Sequence, residues 1–133
     1  MSVGWSDYGN YATDIFTAEA ERIISRHRTD SPLFLYLAHL AVHSANTYSP
    51  LQAPQDAIDR HSYIKDVNRR KFSGMLYKLD ESVGKVVAAL ARKKMLQDRC
   101  SVKCRERSIS GPLHQSRFTL TFNFMNILVY SYL

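Results

Sequence analysis

The chain has 133 residues, 45% of them hydrophobic, and a formal charge of +6. That length is typical of one small domain with a modest core, weaker still if the chain is part of something larger. The charge is uneven: residues 65–107 hold 13 of the 18 Lys and Arg but 5 of the 12 Asp and Glu, a local excess of +8. Such a bias marks either a solvated helix face followed by a basic loop or a surface for an anionic partner. No nucleic-acid motif accompanies it, so nucleic acid is not an expected partner.

The first residues, MSVGWSDYGNYATD, are polar and lack the apolar core of a signal peptide. They read as loop. Thr13 or Thr17 is then a candidate N-cap for a helix running to about Arg28, with Phe16, Ala20, Ile23 and Ile24 on one face. Thr29, Asp30, Ser31 and Pro32 break it. Leu33 to Ala38, LFLYLA, is apolar without alternation. That pattern predicts a strand buried on both faces, as in a parallel sheet, and a helix feeding such a strand predicts an α/β fold. A strand of that kind needs sheet neighbours, so a chain without them is expected to be marginally stable.

Residues 39–54 read as a loop with Pro50 and Pro54, and Gln55 to Arg60 as a short helical turn. The clearest element is a long amphipathic helix over about 67–95. Phe72, Met75, Leu76, Leu79, Val83, Val86, Val87 and Leu90 form its apolar stripe, and Asp66 is its candidate N-cap. Gly74 and Gly84 are candidates for close packing. Residues 97–117 show neither a helical nor a strand period, and little order is expected there. Phe118 to Phe124 alternate like a strand, and the ILVY that follows makes an apolar tail with no evident partner strand. No stretch is long and uninterrupted enough to span a bilayer, so no transmembrane segment is expected.

Candidate chemistry is sparse. Cys100 and Cys104 are two ligands where a zinc site needs four. Asp80 and Glu81 are neighbours on a helix and point apart, so they cannot act as a facing pair. Of the five histidines, His27, His61 and His114 need no function. His39 and His43 differ, because they follow directly on the strand, and ligands of open α/β sheets gather beyond the carboxyl ends of strands. A histidine there can donate to an anionic oxygen or protonate a leaving group. No HExxH, GxSxG, P-loop or GxGxxG stands beside them.

Three stretches carry a wider likeness: YATDIFT, PLFLYLAHLAVHSANTYSPLQAP and YIKDVNRRKFSGMLYKLDESVGKVVAAL. Together, over roughly residues 8–96, they resemble the sulfatase family, most closely its arylsulfatase B, I and J group. The resemblance implies a fragment of an alkaline-phosphatase-like α/β fold and the hydrolysis of sulfate esters. It implies a formylglycine nucleophile made from the cysteine of a CxPSR-type motif, and calcium as cofactor. His43 matches the histidine of the family's VH dipeptide, which contacts the sulfate or the leaving-group oxygen. His39 matches no catalytic position and is expected to be structural. The partners implied are a sulfated small molecule or a glycosaminoglycan, and the location lysosomal or secreted.

The departures are as specific. The chain has no CxPSR, lacks the family's paired N-terminal aspartates, and carries KKMLQDRC where the family continues into a DNGG-type motif. The nucleophile and the calcium ligands are therefore expected outside this chain. The organisation expected is a partial sulfatase domain over 1–96 and a divergent tail over 97–133, inactive alone. The competing expectation is a non-catalytic piece that binds polyanions through the basic segment 65–107.

Overall fold

A computed structural model of the chain describes residues 5–96 and, as backbone, residues 100–105 and 126–131. After a single 3-10 turn at Trp5–Asp7, the order is α1 (Ala12–Arg26), β1 (Leu33–Ala38), α2 (Gln55–Asp59), α3 (Val67–Arg92), β2 (Cys100–Arg105) and β3 (Asn126–Ser131). None of the helices among the described residues is long and apolar enough to cross a membrane.

Helix α1 begins at Ala12, with Tyr11 at the cap position and no side-chain cap. Neither threonine caps it. Thr13 and Thr17 lie one turn apart on the inner face, 2% and 3% exposed. The helix ends at Arg26, two residues earlier than the charge pattern suggests, where the His27 N–H donates to the carbonyls of Ile23 and Ile24.

Helix α3 starts as its sequence dictates. The Asp66 carboxylate accepts the Arg69 backbone N–H at 2.7 Å, filling one of the orphan donors of the first turn. It stops at Arg92, short of Met95, through a paired reverse hydrogen bond. The Met95 N–H reaches Leu90 and the Lys94 N–H reaches Ala91, both at 2.9 Å. Lys94 takes the left-handed conformation, φ 57°, that this closure requires. The reversal turns Met95 back into the core, 6% exposed.

Ala20 and Ile24 of α1, Leu33 and Leu37 of β1, Val86, Ala89 and Leu90 of α3, and Met95 form one buried cluster. Full burial of a side chain such as Ile24 or Leu90 is worth about 1.5–3 kcal/mol. The stripe of α3 is narrower than its apolar spacing suggests. Phe72 is 39% exposed, while Lys78 and Ser82 take places on the buried face. Gly74 sits where α2 crosses α3. A Cβ there would lie 3.2 Å from the Ala53 Cβ and the Ile58 nitrogen. Gly84 faces open space.

The sheet corrects the sequence reading in two respects. Its order is β1-β3-β2 and both pairings are antiparallel, with Leu33 opposite Ser131 and Ala38 opposite Asn126. Among the described residues the strand is also packed chiefly through one face. Leu33 and Leu37 are 9% exposed, whereas Phe34 and Tyr36 are 60% and 55% exposed. An apolar run does not reveal how many layers cover it, and among the described residues α1 and α3 pack on a single face. The ILVY segment lies in β3 and has partner strands on both sides, so β1 does have a neighbour within this chain. Within the stretch expected to be irregular, Cys100–Arg105 is a strand. The FTLTFNF alternation at 118–124 lies outside the described residues.

Candidate functional site

The chain leaves β1 into residues 39–54 and alternates between interior and solvent. His39 is buried, Leu40 exposed, Ala41 buried and His43 exposed. The His43 backbone N–H donates to the Leu40 carbonyl at 2.9 Å, which closes a tight turn just past the strand. Farther on, the loop is pinched by the Ala45 N–H on the Pro50 carbonyl, 2.9 Å, and the Ser49 N–H on Asn46 Oδ1, 2.7 Å. Tyr48 at its tip is 97% exposed. His43 is thus carried outward on a short turn whose root is held by buried residues.

That root is a polar chain through the core. His39 Nε2 lies 3.0 Å from Ser82 Oγ, Ser82 Oγ lies 2.6 Å from Thr17 Oγ1, and Thr17 Oγ1 lies 2.5 Å from the Thr13 carbonyl. Each hydroxyl has one proton. All three contacts are satisfied together only when the His39 N–H donates to Ser82, Ser82 to Thr17, and Thr17 to the carbonyl. This ordering requires a proton on His39 Nε2, which the neutral imidazole supplies as its Nε2–H tautomer. His39 Nδ1 is then a buried acceptor, with no partner among the described residues. Burial lowers the His39 pKa from its ordinary 6.5, in keeping with a neutral ring. The structural role that the resemblance implies for His39 thus has a geometry: it ties the strand end to α1 and α3.

Beside this chain is an ionic one. Lys78 is 8% exposed and its Nζ lies 2.7 Å from Asp14 and 2.6 Å from Glu81. Burial alone would lower its pKa, but the hydrogen bonds it donates to Asp14 and Glu81 outweigh it and the net shift is upward. Glu81 also meets Lys85 at 3.3 Å, and its own pKa is lowered, chiefly by Lys78. Tyr11 nearby is raised, mainly by burial. These groups fasten the start of α1 to α3, and a charged Lys78 held by two carboxylates is no nucleophile. The available signal for this pair was register: Lys78 falls between Met75 and Leu79 on the buried line.

The other histidines are placed without chemistry. His27 Nε2 meets the Ser31 carbonyl at 2.8 Å, and His61 Nδ1 meets the Ala57 carbonyl at 2.9 Å. His114 lies outside the described residues. Asp80 is exposed and does not join Glu81 in a pair. Among the described residues no three His, Cys, Asp or Glu gather into a set that could hold a metal. These residues therefore do not fit calcium, the metal implied by the resemblance.

A strand delivering a buried and an exposed histidine, followed by a proline-bounded loop and a long helix, is the arrangement for which relatives are found. The sulfatase family model matches residues 2–99, and the chain belongs to the sulfatase family. It is 41% identical over 86 residues to arylsulfatase J of Mus musculus, a match covering 65% of this chain and 14% of that protein's length. Among solved structures it resembles Ps i-CgsB, with TM-score 0.58 and 25% identity over 92% of this chain and 28% of the other. The same protein in complex with k-i-k-neocarrahexaose gives TM-score 0.60 and 26% identity at the same coverage. The fold is accordingly a fragment of the alkaline-phosphatase-like sulfatase fold. The chain spans well under a third of the length of these relatives.

Proposed function

We propose that the chain is a piece of an arylsulfatase B-like sulfuric ester hydrolase, with residues 1–96 a partial sulfatase domain and 97–133 a divergent tail. The observation that carries this reading is the 41% identity to arylsulfatase J over 86 residues, 65% of this chain. In the parent reaction, formylglycine and calcium would supply the nucleophile and a charge clamp for the sulfate. The chain holds no CxPSR motif, so it does not turn over substrate by itself.

His43 is the residue assigned to chemistry. Cleavage of a sulfate ester develops negative charge on the leaving oxygen, and an imidazole N–H beside it stabilises or protonates that oxygen. Its support is position: an exposed side chain, one turn past a strand end, on a root held by His39. A sulfated sugar suits the reading as substrate, and the neighbour Ps i-CgsB has been solved in complex with k-i-k-neocarrahexaose.

Two measurements test this. The purified chain, given a chromogenic aryl sulfate and calcium, is expected to show no hydrolysis; turnover would overturn the inactivity. Residues 2–99 grafted over the matching segment of mouse arylsulfatase J should give an active chimera. His43→Ala in that chimera should lower kcat by about 10²–10⁴-fold, the usual contribution of a general acid. A chimera indifferent to His43 would remove its role.

A further inference from the structure

The structure separates the basic residues into two populations. Lys78, Lys85 and Arg92 are committed to carboxylates of this chain, Asp14, Glu81 and Glu21. Of the bases that make no ion pair among the described residues, Arg26, Lys93 and Lys94 stand apart, while Arg60, Lys65, Arg69, Arg70 and Lys71 follow closely in sequence where α2 leads into α3. Of the carboxylates at this corner, Asp66 accepts the Arg69 backbone N–H and Asp59 accepts the Gln55 amide at 2.7 Å. Asp56 lies in the first turn of α2. None of the three pairs with the bases.

Aromatic rings occupy the same corner. The Arg60 guanidinium lies 5.1 Å from the centre of the Tyr77 ring, which holds it by cation–π attraction. His61 stands 6.0 Å from Tyr77 and 6.1 Å from Tyr63, and Tyr63 is 76% exposed. The His61 ring is itself fixed by the Ala57 carbonyl, so this ladder of rings costs little further ordering on binding. An open tyrosine face can stack on the apolar face of a sugar ring. A pre-positioned guanidinium with two further cations matches sulfate oxygens.

We propose that the α2–α3 corner, through Arg60, Tyr63, Lys65 and Arg69, is a binding surface for a sulfated polysaccharide. It joins Lys65 and Arg69, at the start of the basic segment, to Arg60 and Tyr63 just before it, and rests on the sulfatase reading only for the choice of glycan over other polyanions. It engages the chain of a sulfated substrate and takes no part in bond cleavage.

The test uses the full chain and heparin at two salt concentrations. Lys65→Gln with Arg69→Gln should weaken binding by about tenfold, the scale of two lost charge contacts. Lys93→Gln with Lys94→Gln removes the same charge at the other end of a helix about 39 Å long, and should change binding less than twofold. Tyr63→Ala, which alters no charge, should weaken binding several-fold. Unchanged far-UV circular dichroism confirms that each variant folds. Equal losses from the two charge pairs would overturn the proposal, as would indifference to Tyr63. Binding to duplex DNA as tight as to heparin would replace it with a generic polyanion surface. None of these outcomes bears on the arylsulfatase chimera, so failure of this surface and failure of the sulfatase reading are told apart.

Discussion

In the seam where α1 and α3 cross β1, polar groups are drawn into specific pairings. His39, Ser82, Thr17 and the Thr13 carbonyl form one chain, and Lys78 lies between Asp14 and Glu81 beside it. In the loop that leaves the seam, Leu40, Tyr48 and His43 face solvent, and the loop is pinched by short-range contacts of its own backbone and of Asn46 and Gln52. The two regions meet within four residues, from His39 to His43. Apart from His39 Nδ1, the polar side chains of the seam find their partners within this chain. In the proposed reading, the loop presents His43 to groups that a longer sulfatase would supply. A scaffold and a reactive loop are thus separable, and the piece of scaffold here keeps its internal hydrogen bonding.

The sharpest way to break this contrast is to cut one link on each side. Ser82→Ala leaves the His39 Nε2–H buried without an acceptor, and removes the donor to Thr17. An orphaned buried group of this kind costs about 1–3 kcal/mol. His43→Ala, on the exposed turn, should stay within about 0.5 kcal/mol. Urea denaturation of the two variants checks the difference. Equal losses would mean that the loop is part of the folded seam.

The same histidine makes the seam sensitive to acid. Burial lowers the pKa of His39 in the folded state below its ordinary 6.5. The unfolded chain therefore takes up the proton first as pH falls. The stabilisation is fully present above 6.5 and is lost as pH drops from there towards the lowered folded value. Its slope is at most about 1.4 kcal/mol per pH unit. The Glu81 carboxyl, held below its usual 4.5 by Lys78, gives up its contribution only at lower pH. Denaturation at pH 7.5 and 5.5 should show His39→Gln with a shallower loss than the parent. Identical slopes would show that protonation of His39 does not govern this window.

Much of this scaffold is legible in the amino-acid order. The Asp66 cap, the stripe through Met75, Leu79, Val86 and Leu90, and the strand at Leu33–Ala38 all follow from short-range rules. The layers over β1 do not, because LFLYLA reads alike whether one face or both are covered, and cover is decided by distant segments. The His39–Ser82–Thr17 chain also escapes such rules, for its members are 43 and 65 residues apart. Thr13 and Thr17 suit a cap by type, but the face they share points to α3, and burial decides against it. His43 is proposed for chemistry on the likeness of its surrounding residues to a family, since nothing local in the sequence marks it above His39.

The two glycines of α3 sharpen the contrast at the smallest scale, because one of them seats the end of the reactive loop. Gly74 lies against Ala53 and the backbone of Ala57 and Ile58, so a Cβ there at 3.2–3.3 Å must move α2 by a few tenths of an ångström. The overpacking strain, typically about 1–3 kcal/mol, exceeds the roughly 1 kcal/mol that alanine contributes over glycine inside a helix. Gly74→Ala should therefore destabilise by about 1 kcal/mol, whereas Gly84→Ala, with nothing within 4 Å, should stabilise by roughly 0.5–1 kcal/mol. Thermal denaturation of the pair reads the opposite signs. Two stabilising substitutions would mean that α2 yields freely on α3. In that case the loop of residues 39–54 would be tied to the scaffold at its His39 root and not at its far end.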